Sequence, residues 1–198
     1  DRFMPNWSYA LPSGGQVVTN NGTITAGGKV MDITGSGNVA IDWNSFNIAA
    51  DEIVNFKNMQ AVLNYVSGGS KSEIFGKLNG AGVNVFLVNP NGILFGKTAQ
   101  VNVGQLTAST RSLEKAALNS FNGSLSPLDA GGAANVKADI INLGKLKAGK
   151  LVLEGNNLSI IGSDSLEVAD KSKITLRAGE NINICLLYTS DAADEGLG

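Results

Sequence analysis

The chain contains no histidine, and its only cysteine is Cys185. Without an imidazole there can be no Ser-His-Asp or Cys-His relay and no mixed Cys/His zinc cluster. One thiol rules out an internal disulfide framework. So few cysteines suit a reducing cytosol, and equally a chain that crosses an oxidising compartment without being cross-linked. Charge is also sparse, at 16% with a net value of −2, and no run of Lys or Arg stands out. No nucleic-acid partner is therefore expected, nor a broad attraction to anionic membrane. The apolar runs are far shorter than a membrane span. The carboxylates Asp51, Glu52, Asp164, Asp191, Asp194 and Glu195 are scattered. They form neither the spaced pair of a glycoside hydrolase nor a calcium loop. The expectation is no catalysis, no cofactor, no metal and no small-molecule substrate.

Glycine (25) and asparagine (22) are abundant among the 198 residues, a length sufficient for one domain with a substantial core. Val83–Val88 and Ile93–Phe95 are apolar and β-rich, and Asn89-Pro90-Asn91-Gly92 lies between them. Each of the four suits a tight corner. Asn89 can bond the backbone two residues on, Pro90 presets φ, Asn91 tolerates the second corner, and Gly92 allows φ > 0. Trp43, Phe46, Phe86 and Phe95 read as core fillers.

From Leu11 to Phe56 short strands alternate with Gly, Asn or Ser: 16–18, 22–25, 30–33, 39–43 and 46–48. Turn signals every 8 to 10 residues point to an all-β fold. Residues 51–66 are read as strand and loop although a helical face also fits. Thr110–Asn122 reads as the one helix, with Ser112 or Thr110 as its cap and Leu113, Ala117, Leu118 and Phe121 as its apolar side. Asn122-Gly123 would stop it. Residues 123–135 read as a loop.

The C-terminal part repeats. Leu153 and Leu176 are 23 residues apart and Ile160 and Ile184 are 24 apart, and the segments at 143–146 and 166–168 recur at about 20. Such a period, built from short strands and glycine corners, marks a solenoid whose coils bury Leu, Ile and Val against their neighbours. The consensus of a leucine-rich repeat is missing, which favours a parallel β-helix. Residues 185–198 break the pattern and resemble translated adaptor sequence, so they are expected to be a non-native tail, with the natural chain continuing beyond residue 184. Ser8-Tyr9-Ala10 has the small–x–small shape of a signal-peptidase site. Residues 1–10 are accordingly expected to be a signal remnant or an N-terminal extension.

Taken together, the chain resembles the N-terminal secretion domain of two-partner secretion exoproteins, the filamentous haemagglutinin family. The resemblance is carried by Leu11-Pro-Ser-Gly-Gly-Gln-Val-Val18, Ile41-Asp-Trp43-Asn-Ser-Phe46-Asn47-Ile48, Ala61-Val-Leu-Asn64-Tyr-Val66, Ser72-Glu-Ile-Phe-Gly76, Asn89-Pro90-Asn91-Gly92-Ile93, Leu94-Phe95-Gly96 and Leu106-Thr-Ala-Ser-Thr110. It is dense over 11–112 and looser to 184. Many members carry an earlier Asn-Pro-Asn-Leu motif. Asn55-Phe56-Lys57-Asn58 stands in that region here, as in the branch of the high-molecular-weight adhesins.

The resemblance implies a right-handed parallel β-helix over 11–184, with an N-terminal cap, small antiparallel extra-helical strands and one short surface helix. It implies Asn89–Ile93 as a secretion motif, flanked by Trp43, Phe46, Asn47, Asn64, Gly76, Phe95 and Gly96. It further implies a monomer exported through the periplasm of a diderm bacterium. The periplasmic POTRA domains of an outer-membrane β-barrel transporter would bind it there, and outside the cell it would template later coils. An alternative is a surface adhesin module that binds host cells or glycans directly.

Overall fold

The computed structural model describes residues 10–128 and 136–185. Short apolar-alternating segments and frequent glycines yield fifteen strands in this order: β1 (Gln16–Val17), β2 (Gly22–Gly27), β3 (Val30–Gly35), β4 (Asn38–Trp43), β5 (Ile53–Lys57), β6 (Ala61–Val66), β7 (Ser72–Ile74), β8 (Lys77–Val88), β9 (Ile93–Phe95), β10 (Gln100–Ser109), β11 (Ile140–Asn142), β12 (Lys145–Lys147), β13 (Leu151–Ile161), β14 (Leu166–Glu167) and β15 (Ile174–Cys185). Among the described residues one short α-helix, α1 (Lys115–Asn119), and a 3-10 turn at Lys171–Lys173 interrupt them.

The strands wind into a parallel β-helix of about six turns with three faces. The first face stacks β3, β5, the start of β8, the start of β10, β12 and β14. On the second lie β4, β6 and the later parts of β8 and β10, followed by the first halves of β13 and β15. The third runs from a bridge at Ile48 through β7, β9 and β11 to the ends of β13 and β15. The first turn is capped by antiparallel pairing of β1 with β4 and of β2 with β3. The expected cap and the strand reading of 51–66 are both present. The repeat offsets are the actual register, since Leu153 pairs with Leu176 and Ile160 with Ile184. The change of offset from 23 to 24 falls at the irregularity between Gly155 and Asn157.

Inward side chains fill one continuous core that includes Ile33, Ile41, Trp43, Phe46, Leu87, Phe95, Leu106, Leu151 and Leu158. A second apolar cluster lies outside the second face. There Ala40, Ala61, Leu63, Phe86 and Val88 are covered by Leu118 and Phe121, and Phe86 meets Phe121 edge-on at 5.4 Å. The excursion after β10 thus seals apolar residues that alternation alone would have left wet.

Stacked coils bring backbones close at their corners. A Cβ on Gly104 would come within 2.8 Å of the Gly82 carbonyl carbon, and Gly82 itself has φ +73. Glycine is required at the first position by proximity and at the second by conformation.

Three expectations need correction. Segment 46–48 is not a strand. Its ladder contacts are one bridge at Ile48, whose N–H donates to Glu73 O, while Phe46 turns inward edge-on to Trp43 at 5.6 Å. The helix spans only 115–119 and neither proposed residue caps it. Glu114 takes the cap position without a side-chain bond. Thr110 is still tied to the sheet, its N–H donating to Glu154 O and its hydroxyl to Ala138 O. Strand β15 runs one residue past Ile184, and Cys185 O accepts from Gly162 N–H. The remaining expectations for 1–9, 129–135 and 186–198 fall outside the described residues.

Candidate functional site

The Asn-Pro-Asn-Gly stretch turns the third coil from the second face to the third. Asn89 Oδ1 accepts from Asn91 N–H at 2.9 Å, the bond two residues on that its side chain suggests. Gly92 N–H donates to Asn89 O at 3.1 Å, and Gly92 has φ +117. The corner also reaches to neighbouring coils. Asn89 is fully buried, and its Nδ2 donates to Ser70 O and to Ser72 Oγ, both at 3.0 Å. Its N–H donates to Ser109 O. Asn91, exposed at the tip, donates through Nδ2 to Gly68 O at 2.7 Å. Ser72 N–H donates to Gly92 O and Ile93 N–H to Asp139 O. One corner therefore fastens the second, third and fourth coils together.

The flanking residues divide into two groups. Trp43 and Asn64 meet inside the core. Trp43 Nε1 donates to Asn64 Oδ1 at 3.0 Å, and Asn64 Nδ2 donates to Phe86 O at 3.1 Å. Both are buried, so the bridge satisfies polar atoms that would otherwise be orphaned. Phe46 packs on Trp43, and Asn47 Oδ1 accepts from Glu73 N–H at 2.8 Å, joining the first coil to the second. Gly76, Phe95 and Gly96 lie at the other end of the third face. A Cβ on Gly76 would sit 2.2 Å from Ala49 O, and one on Gly96 would sit 2.2 Å from the Phe75 ring. The structure thus gathers Asn89–Ile93 with the 68–72 loop, not with Gly76 and Gly96.

The family model that matches residues 8–195 is the TPS secretion domain. The chain belongs to this family. The TPS domain is 33% identical over 186 residues to a heme/hemopexin-binding protein of Haemophilus influenzae, a match covering 91% of this chain and 20% of that protein. A second heme/hemopexin-binding protein of Haemophilus influenzae is 41% identical over 99 residues, 48% of this chain and 11% of that one. The chain thus spans about a fifth or less of the curated relatives it matches. Among solved structures it is similar to the HMW1 secretion domain from Haemophilus influenzae. The TM-score is 0.58 with 29% identity, over 76% of this chain and 42% of that one. The TPS domain is the secretion domain of two-partner secretion exoproteins.

Sequence reasoning missed the ionic clasp of the TPS domain. Arg111 Nη2 donates to Glu154 Oε1 at 2.7 Å and to Oε2 at 3.0 Å, its Nε to Oε1 at 3.1 Å, and its Nη1 to Ser126 O at 2.8 Å. The Glu154 side chain is 3% exposed. Arg177 flanks the same carboxylate at 4.0 Å and donates to Leu128 O. The only hint in the sequence was a glutamate in the apolar strand Leu151–Ile161. On the first face, Asp32, Asn55 and Asn79 form a polar ladder: Asn55 Nδ2 donates to Asp32 Oδ1 at 2.9 Å and Asn79 Nδ2 to Asn55 Oδ1 at 3.0 Å. The Asn55 bond, followed by Lys57, holds the Asp32 carboxyl below its ordinary value. Asp51 is likewise lowered by its hydrogen bond and charge pairing with Lys29. Among the described residues no group of three or more His, Cys, Asp or Glu could hold a metal ion.

Proposed function

We propose that residues 11–184 are a non-catalytic export and folding-nucleation module, bound in the periplasm by the POTRA domains of the partner transporter, with Asn89–Ile93 at the centre of the recognised segment. The observation that carries this reading is the double nature of the Asn89 corner. Asn89 is a buried staple between coils, while Asn91 is exposed beside it. A recognition role and a folding role can therefore be separated by substitution. Asn91→Ala removes a surface amide with its bonds to Gly68 O and Asn89 Oδ1, and leaves Asn89 its own bonds to Ser70 and Ser72. The expected outcome is a severalfold fall in secretion with in vitro refolding close to wild type. A secretion loss that only tracks refolding would leave the corner as a staple alone.

Parallel coils fold slowly because their contacts are non-local, which favours an extended state during export. In that state strand 83–88 is suited to pair with a transporter strand by β-augmentation. Proline substitutions at alternate positions along it are expected to slow secretion, and unchanged rates would count against the pairing. Haem or hemopexin binding belongs by name to the relatives. In the full-length exoprotein, any adhesive, haemolytic or toxic activity is proposed to lie downstream of this domain. Direct binding of this fragment to host cells or glycans would instead favour the adhesin reading.

A further inference from the structure

Glu52 is a buried ionisable group that the export reading does not use. It sits in the turn from the third face to the first and is 0% exposed. Its backbone is fixed on both sides, with Glu52 N–H donating to Ala49 O and Lys77 N–H to Glu52 O. Among the described residues its carboxylate has two partners, both backbone amides. Ala49 N–H donates to Oε1 at 2.8 Å and Ala10 N–H to Oε2 at 3.1 Å. No Lys or Arg among the described residues pairs with it, although Lys29 pairs with the adjacent Asp51. Among the described residues this carboxylate, removed from water with two neutral donors, has no countercharge of the kind that usually accompanies burial.

The first described residues lie at this point. Leu11 packs against the core, whereas Ala10 is only half-buried and lines a notch of about 250 Å³ with Asn47, Ala49, Phe75 and Thr98. The peptide nitrogen of Leu11 is one residue along the chain from that of Ala10, at most about 3.7 Å away. Ser8-Tyr9-Ala10 places small residues at the two positions a signal peptidase reads, with the scissile bond after Ala10. Hydrolysis of the Ala10–Leu11 peptide by one water leaves the Ala10 carboxylate on the leaving segment and a protonated α-amine on Leu11.

We infer that Glu52 is the seat of the processed amino terminus: cleavage after Ala10 frees the Leu11 α-ammonium group, which takes the place of the Ala10 N–H and pairs with the buried carboxylate. The first coil would then be completed only in the cleaved chain. The inference rests on the export reading, because it needs the processing that export brings.

The test is to co-express the full-length exoprotein with its transporter, sequence the amino terminus of the exported protein, and measure the rate at which formaldehyde and cyanoborohydride methylate its α-amine at pH 8. A start at Leu11 is expected, with methylation at least tenfold slower than in a free Leu-Pro-Ser-Gly peptide. Glu52→Gln, which keeps the shape and an acceptor, is expected to bring the rate to within about twofold of the peptide. An exported chain that begins elsewhere, or a wild-type α-amine as reactive as the peptide, overturns this inference alone and holds even if the variant does not fold. Absence from both the medium and the cell surface would remove the export reading and this inference with it.

Discussion

At Asn89 a single carboxamide uses its acceptor within its own turn and its donors on the preceding coil. Replacing the amide nitrogen by oxygen reverses the second half of that arrangement. In Asn89→Asp a buried anion would face the Ser70 carbonyl, and a buried charge without a partner is strongly destabilising. The expected loss is about 2–4 kcal/mol by urea denaturation. For Asn91→Ala, which is exposed and forfeits the bonds to Gly68 O and Asn89 Oδ1, the loss is about 1–2 kcal/mol. The turn itself was legible from four residues, because each acts locally. The burial of Asn89 was not, since Ser70 and Ser72 reach it only after a full winding. Asp32 gives a pH test at the same scale. Its carboxyl is held below the ordinary 3.8 by the Asn55 bond first and by Lys57 after it. The unfolded chain therefore takes up the proton first as pH falls below about 4. Stability from Asp32 is fully present above that value and is lost as pH drops through the lower folded value. Between pH 5 and pH 2 the urea midpoint of the wild type should fall more steeply than that of Asp32→Asn.

The excursion between β10 and β11 shows what an element's own sequence leaves out. Its apolar side was visible in Leu118 and Phe121, and both are buried as that pattern requires. The start was misplaced because Ser112 and Thr110 are good caps in isolation, while the sheet claims Thr110 by bonds to Glu154 O and Ala138 O. A five-residue helix is too short to persist without tertiary support, so its anchorage matters more than its propensity. That anchorage includes Arg111, which grips Glu154 in bidentate fashion and Ser126 O beyond it. Arg111→Ala leaves a buried carboxylate with only Arg177 at 4.0 Å and is expected to cost about 3–5 kcal/mol. The double change Arg111→Met with Glu154→Leu removes the charge as well as its partner. It should regain most of that loss, measured by urea denaturation of the two variants side by side. A double variant as unstable as Arg111→Ala would show that the clasp acts through its charges and not by filling space.

Across the whole molecule the winding makes register a property of coil length, which is why offsets of 23 and 24 read from Leu153, Leu176, Ile160 and Ile184 coincide with the observed pairs. The antiparallel cap and the outer apolar cluster depend on which coil meets which distant segment, and no local period encodes that. The same one-dimensional build sets a gradient of stability, because each coil is held mainly by its two neighbours. On the second face β8 is flanked by β6 and β10, and Val85 and Leu87 are fully buried between them. Among the described residues β15 pairs with β13 alone, and Ile182 and Ile184 lie 44% and 56% exposed although their partners Leu158 and Ile160 are core residues. Opening β15 uncovers little apolar area, whereas opening β8 separates the two halves of the solenoid. In a fragment limited to residues 1–198, native-state hydrogen exchange should therefore find the amides of 182–184 exchanging on the order of a thousandfold faster than those of 85–88, with the latter opening only on global unfolding. Equal protection at both places would mean that the six turns melt as one unit, and the first coils could not then act as a nucleus for those that follow.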